Sequence, residues 1–136
     1  MTATRRIFLD TNIILDFLDD QRPHYDDARR LMTQLSADDW RIVISEDMLS
    51  TIFYIRKNPR QVLAFYQYVL QHWDVVPYGK PLMEEAVNRA LEHDLDLEDM
   101  LQCLCAKQEE CTLIVTEDKD FVDCGVEVLD YEGFLS

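Results

Sequence analysis

Glycine and proline are scarce in this sequence, three and four of 136 residues, and neither gathers into a run. That scarcity, with no repeat or low-complexity segment, excludes a flexible linker and predicts one continuous domain over residues 1–136. At 48% hydrophobic content, such a chain can bury a core. No stretch reaches the ~18 consecutive apolar residues of a membrane-spanning helix. The opening "MTATRRIFLD" meets an acid too early to form the apolar region of a signal peptide. The expectation is a soluble, cytoplasmic protein with no membrane partner.

Basic residues are also few: 13 against 27 acids, for a formal net charge of −14. Charge-driven, nonspecific binding to nucleic acid needs Lys and Arg to replace counterions, so that class is disfavoured. An enzyme acting on nucleic acid is not, because divalent cations bound by clustered acids would reverse the local field and meet a phosphate through the metal. A basic protein partner would answer the same charge elsewhere on the surface. The four cysteines (Cys103, Cys105, Cys111, Cys124) contain no C-x-x-C pair, and His24, His72 and His93 show no ligand spacing. Buried free thiols are therefore expected over a disulfide or a zinc site.

What the sequence does contain is alternation. "RIFL" (6–9), "WRIVIS" (40–45), "DVVPY" (74–78), "TLIVT" (112–116) and "VEVLD" (126–130) read as strands. Pro77 should confine the third of them to a sheet edge. Between them, apolar residues at helical spacing predict helices over 11–18, 24–36, 47–57, from Pro59 onward, 81–94 and 97–110. Strands that alternate with helices of this length call for a parallel sheet covered on both faces. The fold class is therefore α/β, a three-layer α/β/α sandwich with a mostly parallel central sheet.

Acids fall at one end of those strands. Asp10 follows "RIFL", Glu46 and Asp47 follow "RIVIS", and Glu117, Asp118 and Asp120 follow "TLIVT". Asp96 and Asp99 lie three apart at the start of the sixth helix, hence on one face. Each alone has a structural explanation: Asp10 as a helix cap, Asp96 with Asp99 as a capping arrangement, Asp118 as a turn cap. Together they form a pattern that the amino ends of the same strands lack. In open parallel sheets ligands bind beyond the carboxyl ends, and carboxylates gathered there repel unless a cation neutralises them. Oxygen-only ligands suit Mg²⁺ or Mn²⁺, which can activate water against a phosphodiester.

Three blocks, "FLDTNIILDFL", "DLEDMLQCLCA" and "LIVTEDKDF", in this order and spacing, resemble the PIN domain of VapC-type toxin ribonucleases. The resemblance spans the chain and implies a metal-dependent endoribonuclease, usually a homodimer and often paired with a small antitoxin protein. It implies catalytic and metal-binding roles for Asp10, Asp99 and Asp118, with Asp96, Asp120, Glu46 and Asp47 as further candidates. Thr11 and Asn12 match the polar pair that orients the first carboxylate, though both also suit opening a helix.

One position departs from the family: Thr51 stands where a helix glutamate is common, so either Glu46 and Asp47 substitute or the site has one carboxylate fewer. Arg56, Lys57 and Arg60 form a dense basic cluster, readable as an RNA phosphate contact or as a solvated helix end. Met48, Leu49, Ile52, Phe53 and Tyr54 beside it read as core, with a dimer or antitoxin interface as the alternative. A haloacid-dehalogenase-like phosphatase would want D-x-D where this chain has Asp10-Thr11-Asn12, and a receiver domain would want a lone acid after a middle strand. The rival of another class is a PIN-like module with weak catalysis that binds RNA or a protein.

Overall fold

Ile7, Phe8 and Leu9 are wholly buried because their strand has a neighbour on each side and helices over both faces. The computed structural model of the protein describes residues 5–55 and 57–136. Its elements are β1 (Arg6–Leu9), α1 (Thr11–Leu18), α2 (Tyr25–Ala37), β2 (Arg41–Ser45), α3 (Asp47–Ile55), α4 (Pro59–His72) and β3 (Asp74–Val76). They continue as α5 (Lys80–His93), α6 (Leu97–Gln108), β4 (Leu113–Val115), β5 (Glu127–Leu129) and α7 (Tyr131–Leu135). The sheet order is β3-β2-β1-β4-β5, and all four pairings are parallel. The short β3, followed by Pro77, lies at an edge as expected, because proline cannot donate to a ladder.

This order determines where a site can form. The chain steps from β1 to β2 to β3 in one direction, then returns past β1 to β4 and β5. With right-handed crossovers, the outward helices cover one face and the returning α5 and α6 cover the other. In keeping with this, α1 packs on α2 and α3, and α2 on α7, while α5 packs on α6 and α6 lies against β2 and β4. Between β1 and β4 the connections leave in opposite directions. The crevice at their carboxyl ends is the position where open α/β sheets bind ligands.

Local chemistry explains the element ends. Asn58 caps α4 by accepting a hydrogen bond from the Gln61 amide at 3.2 Å, with Pro59 in the first turn. The described α3 spans Asp47–Ile55, and Lys57, the expected last residue, is not helical. Of the apolar group on α3, Met48 and Ile52 are core and Tyr54 is 87% exposed. The five-residue α7 was not expected; it is nucleated by Asp130, whose carboxylate accepts from the Gly133 amide at 2.7 Å. Its Tyr131 hydroxyl donates to the buried Asp16 at 2.8 Å, which also accepts from Arg22 Nε at 2.7 Å.

The expectation of four free thiols is corrected for one pair. Cys103 of α6 is disulfide-bonded to Cys124 in the segment between β4 and β5, with Cα atoms 6.1 Å apart. The 21-residue separation carries no local signature, and the pairing exists because the segment after β4 folds back over α6. Cys105 and Cys111 are buried free thiols. Burial pushes both to about 12, so neither is a thiolate at neutral pH.

Candidate active site

Asp10 ends β1 and is almost completely buried, its backbone N–H still held in the sheet by the Val115 carbonyl at 3.1 Å. It occupies the residue before α1, yet its carboxylate makes no capping bond to that helix. Instead Oδ2 accepts from the Thr116 hydroxyl at 2.7 Å, just past β4. The same Thr116 oxygen accepts the Asp118 amide at 3.1 Å, so one side chain ties Asp10 to the loop that carries Asp118. Burial raises the Asp10 carboxyl above its usual range, offset by the bonds from Thr116, Thr11 and Gln102.

Asp99 stands in the first turn of α6, half-buried. Its carboxyl is pushed up to about 7, first by burial and then by the charges of Asp96, Asp118 and Asp10. Four acids drawn from three places in the sequence therefore share one electrostatic environment. Asp96 caps α6 by accepting the Asp99 amide at 3.0 Å, so its structural reading holds. Asp118 likewise caps a turn, accepting the amide of the exposed Asp120 at 2.9 Å.

The second strand's acids lie farther along the edge. Glu46 is exposed, with its amide bonded to the Val76 carbonyl at 2.9 Å. Asp47, also exposed, opens α3 beside Tyr78, whose hydroxyl is 3.1 Å from Ser45 Oγ. Thr51 is exposed and donates its hydroxyl back to the Asp47 carbonyl at 3.2 Å. Thr11 is buried, whereas Asn12 is exposed on the next position of α1. Lys57 is ion-paired with Asp19 at 3.1 Å, at the far end of α1 from Asp10. An eight-residue helix puts those ends about 12 Å apart. Arg60 is exposed in the first turn of α4, and Arg56 lies outside the described residues.

Two further residues join the site without having been anticipated. Gln102, wholly buried, lies one turn beyond Asp99 on α6; its Nε2 donates to Thr11 Oγ1 at 3.2 Å and to Glu98 Oε1 at 3.3 Å, while its Oε1 has no partner. Glu98 is raised above its usual range by burial and by the charges of Asp10, Asp47 and Asp96. Helical spacing was the available signal: residue 102 lies four positions from Glu98 and three from Asp99, within reach of both.

The donor set fits a hard divalent cation in kind. It offers oxygen ligands only, mutual repulsion for a cation to relieve, and an orphaned buried amide oxygen at its base. Among the described residues no three His, Cys, Asp or Glu side chains are grouped closely enough to hold a metal ion as they stand. A concavity of about 800 Å³, lined by Phe17, Trp40, Phe65 and Trp73, touches none of these acids.

The PIN domain profile matches residues 7–126. The chain belongs to the PIN-domain family. It is 31% identical over 136 residues to ribonuclease VapC1 of Aquifex aeolicus, covering 96% of this chain and 94% of that one. Among solved structures, the sarcin-ricin loop cleaving toxin VapC20 of Mycobacterium tuberculosis superposes with a TM-score of 0.72 at 19% identity, over 88% of this chain and 95% of its own. A toxin–antitoxin complex from Klebsiella pneumoniae gives 0.69 at 21% identity, over 92% and 97%. These structures establish the PIN fold. Within this PIN domain the three blocks of the sequence meet at the β1–β4 crevice.

Proposed function

We propose that this protein is a metal-dependent endoribonuclease, the toxin of a toxin–antitoxin pair, hydrolysing RNA phosphodiester bonds at the carboxyl edge of β1 and β4. The observation that carries the reading is the convergence of Asp10, Asp99 and Asp118: the Asp99 carboxyl, pushed up to about 7 first by burial, is raised further by the charges of Asp96, Asp118 and Asp10. The relative named ribonuclease VapC1 and the toxin–antitoxin neighbour support the same class. Asp10, Asp99 and Asp118 would hold Mg²⁺ or Mn²⁺, with Asp96, Asp120, Glu46 and Asp47 in reserve around them. The cation would supply charge neutralisation of the phosphate and a water of lowered pKa.

The chain's own residues do the remaining work. Thr116 fixes Asp10 in one orientation and ties the Asp118 loop to it. Thr11 and Gln102 floor the site, and Asn12 stands exposed at its rim. Lys57 and Arg60 are the candidate phosphate contacts on the flank. The unit is a single domain over residues 1–136 that acts in the cytoplasm as a homodimer, its antitoxin being the basic partner its net charge calls for.

A second reading, a PIN domain of weak catalysis that binds RNA or protein, is favoured by Thr51 in place of a helix acid. Cleavage of a pool of structured RNAs by wild type and Asp99→Asn, with Mg²⁺, with Mn²⁺ and with chelator, separates the two. The nuclease reading expects cutting that needs metal and is lost in the variant. Equal inertness of both proteins with every metal would favour the binding module.

A further inference from the structure

Thr51 removes a carboxylate from α3, yet a different one lies beside Asp10. Glu98 stands in the first turn of α6, next to Asp99, and Gln102 lies one turn further on the same face. A single buried NH₂ group, that of Gln102, donates to both Glu98 Oε1 and Thr11 Oγ1, so those oxygens cannot be more than about 6.5 Å apart. The same amide lies against the Asp10 carboxylate. Two carboxylates facing Nε2 fix the orientation of the amide, because the flipped form would set its oxygen against both. Gln102 Oε1 is then wholly buried with no partner inside the protein.

We propose that Glu98, held by Gln102 beside Asp10 and Thr11, is the fourth carboxylate of the cation site and replaces the acid that α3 lacks. The assignment rests on the cation-dependent reading above and adds to it a ligand from α6. Glu46 and Asp47 are the weaker substitutes: Glu46 stands past the end of β2, and Asp47 leans on Tyr78. Among the described residues neither is hydrogen-bonded to the Asp10–Thr11 floor, whereas Glu98 reaches it through one donor. The unpartnered Gln102 oxygen points to a ligand as well, because a buried acceptor is matched only when a donor arrives, and the water of a hydrated Mg²⁺ or Mn²⁺ is such a donor.

Mn²⁺ titration of the full chain, followed calorimetrically at pH 8, tests this on wild type, Asp99→Asn, Glu98→Gln and Glu92→Gln. Glu92 is an exposed acid on α5 outside the site, and its variant controls for loss of one negative charge. The expected result is saturable binding by wild type and Glu92→Gln, loss in Asp99→Asn, and at least tenfold weaker binding in Glu98→Gln with an unchanged thermal midpoint of the metal-free protein. Wild-type affinity in Glu98→Gln beside loss in Asp99→Asn would overturn the assignment and leave the cation site standing. Equal weakening in Glu92→Gln and Glu98→Gln would overturn it as a long-range field effect. No binding by wild type would overturn the cation-dependent reading along with it.

Discussion

Breaking the Cys103–Cys124 bond should destabilise the fold by about 3 kcal/mol. The two cysteines are 21 residues apart in sequence. Closing a loop of that length removes ~11 cal/mol/K of entropy from the unfolded chain, about 3 kcal/mol at 25 °C. For a chain of 136 residues, with an unfolding entropy of roughly 2 cal/mol/K per residue, this is a fall of about 10 °C in melting midpoint. The bond also spans the site: Cys103 follows Asp99 by one turn of α6, and Cys124 lies on the segment after Asp118. Its loss should therefore weaken Mn²⁺ binding as well as stability. The assay is thermal unfolding of wild type and Cys124→Ser, each with and without a dithiol reductant, alongside a count of free thiols in denaturant. The reasoning expects two thiols in oxidised wild type and a melting midpoint that reductant lowers to that of the variant. Four thiols, or a midpoint unmoved by both perturbations, would refute it.

Other consequences follow from single contacts. Because the Asp99 carboxyl is held near 7 by burial and by its acidic neighbours, its ionisation costs the metal-free fold stability as pH rises from the ordinary carboxylate range through 7, and bound cation reverses that cost. The rise in melting midpoint on adding Mn²⁺ should thus be larger at pH 8 than at pH 5.5, and an equal rise at both would contradict the assignment. Thr116→Val removes the bond that lowers the Asp10 carboxyl, so cleavage should reach half its maximum at higher pH, with Thr116→Ser restoring the wild-type profile. An unshifted profile in the valine variant would count against Thr116 as the orienting group. Tyr131→Phe leaves a buried carboxylate oxygen of Asp16 without its 2.8 Å donor and should cost roughly 2 kcal/mol in urea unfolding. A loss below about 0.5 kcal/mol would mean that Arg22 alone satisfies Asp16.

Much of the architecture was readable because the controlling signals are local. "RIFL" and "RIVIS" are buried parallel strands and read as unbroken apolar runs, and the helices between them show their period directly. Asp10, Asp99 and Asp118 could be placed at one edge because every parallel strand ends at that edge. What stayed hidden depends on the third dimension. Nothing near Cys124 indicates that its segment returns over α6, and α7 is too short to show a period. Gln102 and Glu98 were legible only in part: their spacing from Asp99 was visible, but not that the inward face of α6 meets Thr11. The capping roles of Asp96 and Asp118 proved compatible with membership of the acid cluster, since a cap uses one carboxylate oxygen and leaves the other.

The most direct test of the central claim is the chemistry of the cut ends. Water attack at a phosphodiester supported by a cation at Asp10, Asp99 and Asp118 leaves a monophosphate on one fragment and a hydroxyl on the other, whereas attack by the neighbouring ribose 2′-hydroxyl leaves a cyclic phosphate. The ends of RNA cut by wild type in Mn²⁺ should carry no cyclic phosphate, and chelator or Asp10→Asn should abolish the cut. Cyclic phosphate ends, or cutting that persists in chelator and in Asp10→Asn, would contradict a metal-assisted hydrolytic site at the β1–β4 crevice.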